Sequence, residues 1–357
     1  MTHHGFSSLS IRRGHGLLPV LAVVMGTVSS AQPPPPSCIW LGPEPCLYRS
    51  DINVPAGFMD LFLTDPARNN YPVPIRVRYP LMPGRRPVVF WNRGGDPRPN
   101  GRESSEEWGT ALAEAGYVVI HPSRMPIANA MPFLPECIQN GFTDLIECER
   151  WVEQSRYGPQ NTHFLIDMLT KIDAATPARL DKDRVVVAGH SSGTITVLAN
   201  AGAVQQWVPG GPVYDERDTR PMAFLAASPQ GCVYANYVLP GFTVGDNFQG
   251  IDRPFAFISG VHDRTGEPTE GRIAGWIRAM PGHKYLSYDN HPEALHTTMN
   301  LSECSGPVRS NHCRWIEAFG LAFLDAVVRR RGPAIDWLMD PNAYKTLTGG
   351  AIDLHRR

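Results

Sequence analysis

The residues with the clearest chemical potential are Gly189-His190-Ser191-Ser192-Gly193, a G-x-S-x-G pattern. A serine hydroxyl is a poor nucleophile at neutral pH. It needs a base to take its proton and a third group to orient that base. Downstream carboxylates and imidazoles offer both. Asp263 stands in Gly260-Val-His-Asp263, with Glu267 close behind; His291 opens a proline turn in Asn290-His-Pro292, and His296 lies in Ala294-Leu-His-Thr-Thr-Met299. Acyl transfer also needs two backbone donors for the developing oxyanion. One is the amide of Ser192, the residue after the nucleophile. The other should come from Arg93 or Gly94, in Asn92-Arg93-Gly94-Gly95. In a chain with 33 glycines, the pattern around Ser191 carries weight only through its flanks.

Those flanks favour a nucleophile. Val185 to Val187 is an unbroken β-branched run, as expected of a strand buried on both faces of a parallel sheet. Thr194 to Asn200 then takes up helical spacing. A serine on a sharp turn between strand and helix is lifted above the sheet, and its two glycines let strand and helix approach closely. In such an architecture the acid follows a late strand and the base follows the last one. Pro254 to Ile258 reads as the late strand and Lys284 to Tyr288 as the last. This order favours Asp263 over Glu267 and His296 over His291, which reads as a surface residue. His190 reads as a packing residue, and His121 and His262 as strand-end residues.

The remaining elements supply the scaffold. Phe58 to Thr64 and Val73 to Tyr79 alternate around a turn and read as an antiparallel hairpin. Pro87 to Trp91 is a buried strand. Ser104 with Glu107 predicts a capping box for a helix carrying Trp108, Leu112 and Ala115, and Tyr117 to Ile120 is the next strand. Strand, helix, strand at these lengths makes a right-handed βαβ unit, so the sheet is mostly parallel. Residues 123–160 break the alternation and read as a cap insertion over the carboxyl end of the sheet, where ligands bind in open α/β folds. Phe164 to Ile172 predicts a helix, Pro221 to Ala226 a strand and Ile273 to Met280 a helix. An aromatic loop carries Tyr234, Tyr237, Phe242 and Phe248. The closing helix carries Ile316, Phe319, Phe323, Leu324 and Val327 on one face. Gly332-Pro333 reads as its stop, with residues 332–357 as an appended tail.

Composition narrows the class. The formal charge is −1 and no basic block exceeds Arg329-Arg330-Arg331, so nucleic acid has no electrostatic footprint. Residues 1–31 read as a signal peptide: Arg12 and Arg13, a short apolar run from Leu17 to Gly26, and small residues up to Ala31. Its removal takes two arginines and no acids, moving the charge from −1 to −3. It would leave no integral membrane segment. The mature chain would start near Gln32 with a Pro-rich leading segment to residue 56. Six of the seven cysteines fall into local pairs, Cys38/Cys46, Cys137/Cys148 and Cys304/Cys313, with Cys232 left over. Short-loop disulfides of this kind belong to a secreted or periplasmic protein and stabilise by about 2–3 kcal/mol each. Other connectivities remain open to the sequence. No metal-ligand spacing occurs, and neither metal nor cofactor is expected.

Taken together, these residues resemble the α/β-hydrolase superfamily over about 57–330. The resemblance rests on Pro87-Val-Val-Phe-Trp91, Ala115-Gly-Tyr-Val-Val-Ile-His-Pro122, Gly189-His-Ser-Ser-Gly193, Gly260-Val-His-Asp263 and His296, in the family's order. Within it, the G-H-S-x-G turn and the helix before it are similar to platelet-activating-factor acetylhydrolases and dienelactone-hydrolase-like esterases. The resemblance implies an α/β-hydrolase fold, Ser191 as nucleophile, Asp263 as acid and His296 as base. One departure is Asn92-Arg93, where the family usually has His-Gly, which leaves the second oxyanion donor between Arg93 and Gly94. The expected activity is that of an exported serine ester hydrolase acting on small-molecule, lipid or polymer esters, the apolar cap and aromatic loop favouring acyl or aryl groups. A peptidase or amidase with the same triad, and a non-catalytic binding protein of the same fold, are the alternatives.

Overall fold

A computed structural model describes residues 46–95, 101–123, 156–206, 213–230, 233–234, 237–238, 248–264 and 269–357. The expected signal peptide, most of the cap with Cys137 and Cys148, and Cys38, Cys232, Phe242 and Glu267 lie outside them.

Nine strands make one sheet: β1 (Ala56–Asp65), β2 (Tyr71–Pro80), β3 (Arg85–Asn92), β4 (Val118–Pro122), β5 (Arg179–His190), β6 (Ala223–Ala227), β7 (Phe255–Gly260), β8 (Lys284–Asp289) and β9 (Ile352–Arg356). Their spatial order is β1-β2-β4-β3-β5-β6-β7-β8-β9. The six strands from β4 to β8 run parallel, while β1, β2 and β9 add antiparallel pairings at the two edges. The long β1–β2 ladder, from Ala56↔Pro80 to Asp65↔Tyr71, is the expected hairpin.

The helices are α1 (Glu106–Glu114), α2 (Gly158–Asp167), α3 (Leu169–Ala175), α4 (Gly193–Ala201), α5 (Thr269–Arg272), α6 (Ala274–Arg278), α7 (His296–Met299), α8 (Pro307–Val327), α9 (Gly332–Met339) and α10 (Pro341–Leu347). They cover both sheet faces, and β5 shows why its sequence is continuously apolar. Val186 and Ala188 pack with Trp91, Trp108 and Phe323 beneath α1 and α8, while Val187 packs with Ile195 and Leu198 of α4 on the other face. Trp91 and Trp108 stack at 5.1 Å between centroids, both fully buried. Burial of one such side chain is worth about 1.5–3 kcal/mol.

Several expectations change. The Ser104/Glu107 capping box does not form; Ser105 is the residue before α1, at φ 54°, and its hydroxyl donates across the interior to Asn300 Oδ1 at 2.7 Å. The helix expected over Phe164–Ile172 is split at Met168 into α2 and α3; the one expected over Ile273–Met280 is α6, with the short α5 before it. Gly332-Pro333 does not stop the closing helix. That helix ends at Val327, and Pro333 opens α9, where a missing N–H costs nothing. Residues 332–357 are therefore no appended tail: Trp337, Leu338, Tyr344, Ile352 and Leu354 join the core beside Phe319. Lys284–Asp289 is consequently the last parallel strand but not the last strand, because β9 pairs with it along the edge.

In the described part of the leading segment, Tyr48 is buried. Tyr48 donates to Asp325 Oδ2 at 2.7 Å, beside Tyr117 on Oδ1 at 2.6 Å and Arg329 at 2.8 Å. Cys304 and Cys313 form a disulfide, as paired in the sequence reading, and Cys46 is disulfide-bonded. Among the described residues, no helix is long and apolar enough to cross a membrane.

Candidate active site

The carboxyl ends of β5, β6, β7 and β8 converge on one polar cluster. β5 leads directly into the turn at Ser191, which has φ 54°, a conformation strained for a residue with a Cβ. Two contacts hold the strain. The Ser191 amide donates to Ala227 O at 3.0 Å, and the Thr194 hydroxyl donates to Ser191 O at 2.5 Å. Glycine is required where the loop after β3 lies against this turn. A Cβ at Gly193 would come within 2.3 Å of both Asn92 O and Arg93 O, and one at Gly94 within 2.7 Å of Ser191 Cβ.

His296 begins α7, in the loop after β8. Its Nε2 lies 2.8 Å from Ser191 Oγ and its Nδ1 lies 2.8 Å from Asp263 Oδ1. Ser191, His296 and Asp263 are thus brought together from three separate loops, spanning 105 residues between serine and histidine. The α7 segment is anchored from α1, whose Trp108 Nε1 donates to Met299 O at 3.0 Å while Ser105 holds Asn300. His291 is elsewhere: its amide donates to Asp289 Oδ1, and its ring lies beside His312. His190 is fully engaged in packing, with its Nε2 3.1 Å from His296 O and its ring 4.7 Å from that of His296. Of the expected oxyanion donors, Ser192 caps α4 directly after Ser191, Gly94 lies against Ser191 Cβ, and Arg93 lies with its carbonyl against Gly193.

Sequence reasoning missed the groups that hold the acid. Asp263 has no exposed surface. Ser228 Oγ donates to its Oδ1 at 2.6 Å, Ser259 Oγ donates to its Oδ2 at 3.1 Å, and the fully buried Arg272 brings Nε to 3.2 Å from Oδ1. Arg272 also donates to three carbonyls: Asp263 O at 2.6 Å, Ser228 O at 3.1 Å and Pro229 O at 3.2 Å. Burial by itself pushes the Asp263 pKa up, but the His296 bond and the Arg272 charge, with Ser228, overcome it and hold the carboxyl below its ordinary value. The acid is therefore ionised at neutral pH. For His190, burial and then the adjacent His296 push the pKa well below 6.5, so it stays neutral.

A signal for Ser228 was present, since it follows β6 as Ser191 follows β5, but a serine before a proline reads as a turn. Arg272 left no signal. An arginine on a short amphipathic helix reads as solvated, and only its burial over the β6 and β7 loops gives it a role.

Among the described residues, no group of three or more His, Cys, Asp or Glu side chains could hold a metal ion. The chain matches no protein-family model, and no curated protein matches it.

Proposed function

We propose that this chain is a serine hydrolase of the α/β-hydrolase type that cleaves carboxylic esters through an acyl-enzyme. The observation that carries the reading is the continuous chain from Ser191 Oγ through His296 to Asp263, with both contacts at 2.8 Å. Nδ1–H of His296 directed at an ionised Asp263 leaves Nε2 as the lone-pair nitrogen facing the serine proton. Ser191 Oγ would attack the ester carbonyl as that proton passes to Nε2, and the oxyanion would fall to the amide of Ser192 and that of Arg93 or Gly94. His296 would return the proton to the departing alcohol. Water, deprotonated in turn by His296, would then release the acid.

Support comes from the strained turn at Ser191, the parallel sheet with helices on both faces, and the arrival of acid and base from later strands. The Cys304–Cys313 disulfide fits an oxidising compartment, in keeping with export.

The test is hydrolysis of p-nitrophenyl acetate, butyrate and octanoate by the parent and by Ser191→Ala. The expected result is turnover by the parent that falls about 10⁵-fold or more in the variant, with folding unchanged. Equal rates in both folded proteins would overturn the reading.

A further inference from the structure

Ser191 is not the only strained serine at a strand end. Ser228 follows β6 at φ 52°, is fully buried, and sits on the strand adjacent to β5. Its amide donates to Ile258 O at 2.7 Å, fixing it against β7. Its hydroxyl stands 2.6 Å from Asp263 Oδ1 and also 2.6 Å from His296 Nδ1, while those two atoms are 2.8 Å apart. The three polar atoms form a closed triangle.

A hydroxyl has one proton and two lone pairs. Its proton goes to Asp263 Oδ1, because an ionised carboxylate can only accept. A lone pair is then what faces His296 Nδ1, and that contact is favourable only when Nδ1 carries a hydrogen. The hydrogen on Nδ1 is thereby shared between two acceptors, Oδ1 and Ser228 Oγ. That is the tautomer in which Nε2 can take the proton of Ser191. When His296 is doubly protonated, Ser228 supplies a second acceptor for the Nδ1–H.

We propose that Ser228 is a positioning residue of the relay, holding His296 in the Nδ1–H tautomer and accepting from the imidazolium alongside Asp263. The inference rests on the serine hydrolase reading for its consequence in turnover, but the contact itself can be measured without turnover. The left-handed backbone at Ser228 is strained for a residue with a Cβ, and such strain persists where the surrounding structure holds it, commonly at functional sites. The charged or titratable groups facing the ring are Asp263, with Arg272 behind it, and the neutral His190.

The experiment uses the full chain with Ser228→Ala and Ser228→Gly. Proton NMR reads the chemical shift of the His296 Nδ1–H, and steady-state kinetics on p-nitrophenyl butyrate give kcat and KM. The loss of one of the two acceptors should move the Nδ1–H resonance in both variants. It should also reduce kcat about tenfold with KM within twofold. Glycine tolerates φ 52°, so Ser228→Gly should melt no lower than Ser228→Ala while sharing the kinetic defect. A resonance unmoved in both variants would overturn the inference, as would a kcat loss confined to a variant that has also lost stability. A parent that fails to turn over esters, with the resonance moved in both variants, would remove the ester hydrolase reading and leave the Ser228 contact standing.

Discussion

Two Asp–His pairs sit side by side at the carboxyl end of the sheet, and only one meets a serine hydroxyl. Asp263 follows β7 and Asp289 ends β8, where it pairs in register with Gly260. Both carboxylates are buried and both bind an imidazole, at 2.8 Å for Asp263–His296 and 2.5 Å for Asp289–His312. The difference lies on the far side of each ring. His296 reaches Ser191 with its second nitrogen and keeps 14% of its side chain exposed, whereas His312 keeps 2% and is enclosed by the rings of His291 and Trp315. A carboxylate–imidazole pair is therefore a common buried joint; it becomes a relay only when the free nitrogen meets a nucleophile that substrate can reach.

The largest effect separating the two pairs should come from amidating their acids. In Asp263→Asn the side-chain amide donates to Nδ1, forcing the hydrogen of His296 onto Nε2, where it blocks proton transfer from Ser191. A loss of about 10⁴-fold in kcat is expected, the scale seen when the acid of other triads is amidated. The same change at Asp289 should leave kcat within about threefold in folded protein. A fall as deep at Asp289 as at Asp263 would erase the distinction.

Stability should rank the pairs in the opposite sense of their use. Asp289 accepts both from His312 and from the His291 amide, which joins α8 to the loop leading to His296. Asp289→Asn or His312→Gln weakens a charge-assisted bond worth about 1.5–3 kcal/mol, a loss to be read from urea unfolding of each variant. No loss of stability in either would mean that the buried joint has no structural task.

The sequence exposed the catalytic candidates more clearly than the structure around them. Ser191 and Asp263 stand just past apolar runs that meet Gly189 and Gly260, and that boundary is a local signal; His296 is placed by its order after the strand that ends at Asp289. The second pair was invisible because Asp289 reads as the end of a strand and His312 as one polar position on a long helix. Ser228, Ser259 and Arg272 were missed for the same reason, since their importance comes from meeting across 35, 4 and 9 residues at one carboxylate. Residues 332–357 misled through Gly332-Pro333, whose helix-stopping and helix-starting uses share one dipeptide. What decided between them was tertiary: Trp337 and Tyr344 had an apolar surface on α8 to cover.

The smallest expected effect concerns the histidines packed near the relay. His190 is held well below 6.5 by burial and then by His296, and His121 is pushed down to about 3 by burial and then by Arg78. A histidine with a lowered folded pKa contributes stability that is complete above its unfolded value near 6.5 and is lost as the pH falls below it. Each should remove about 1.4 kcal/mol per pH unit between 6.5 and its folded pKa. Unfolding free energies taken at pH 7.0, 6.0 and 5.0 should fall on this slope, and His121→Gln should flatten it by about half. Because His190 stays neutral across that range, it contributes no proton to the acid limb of kcat/KM. That limb should follow a single ionisation with a slope of one. A slope of two would mean that His190 titrates beside the proposed relay, so the Asp263–His296 pair would not be electrically separate from the ring tilted against it.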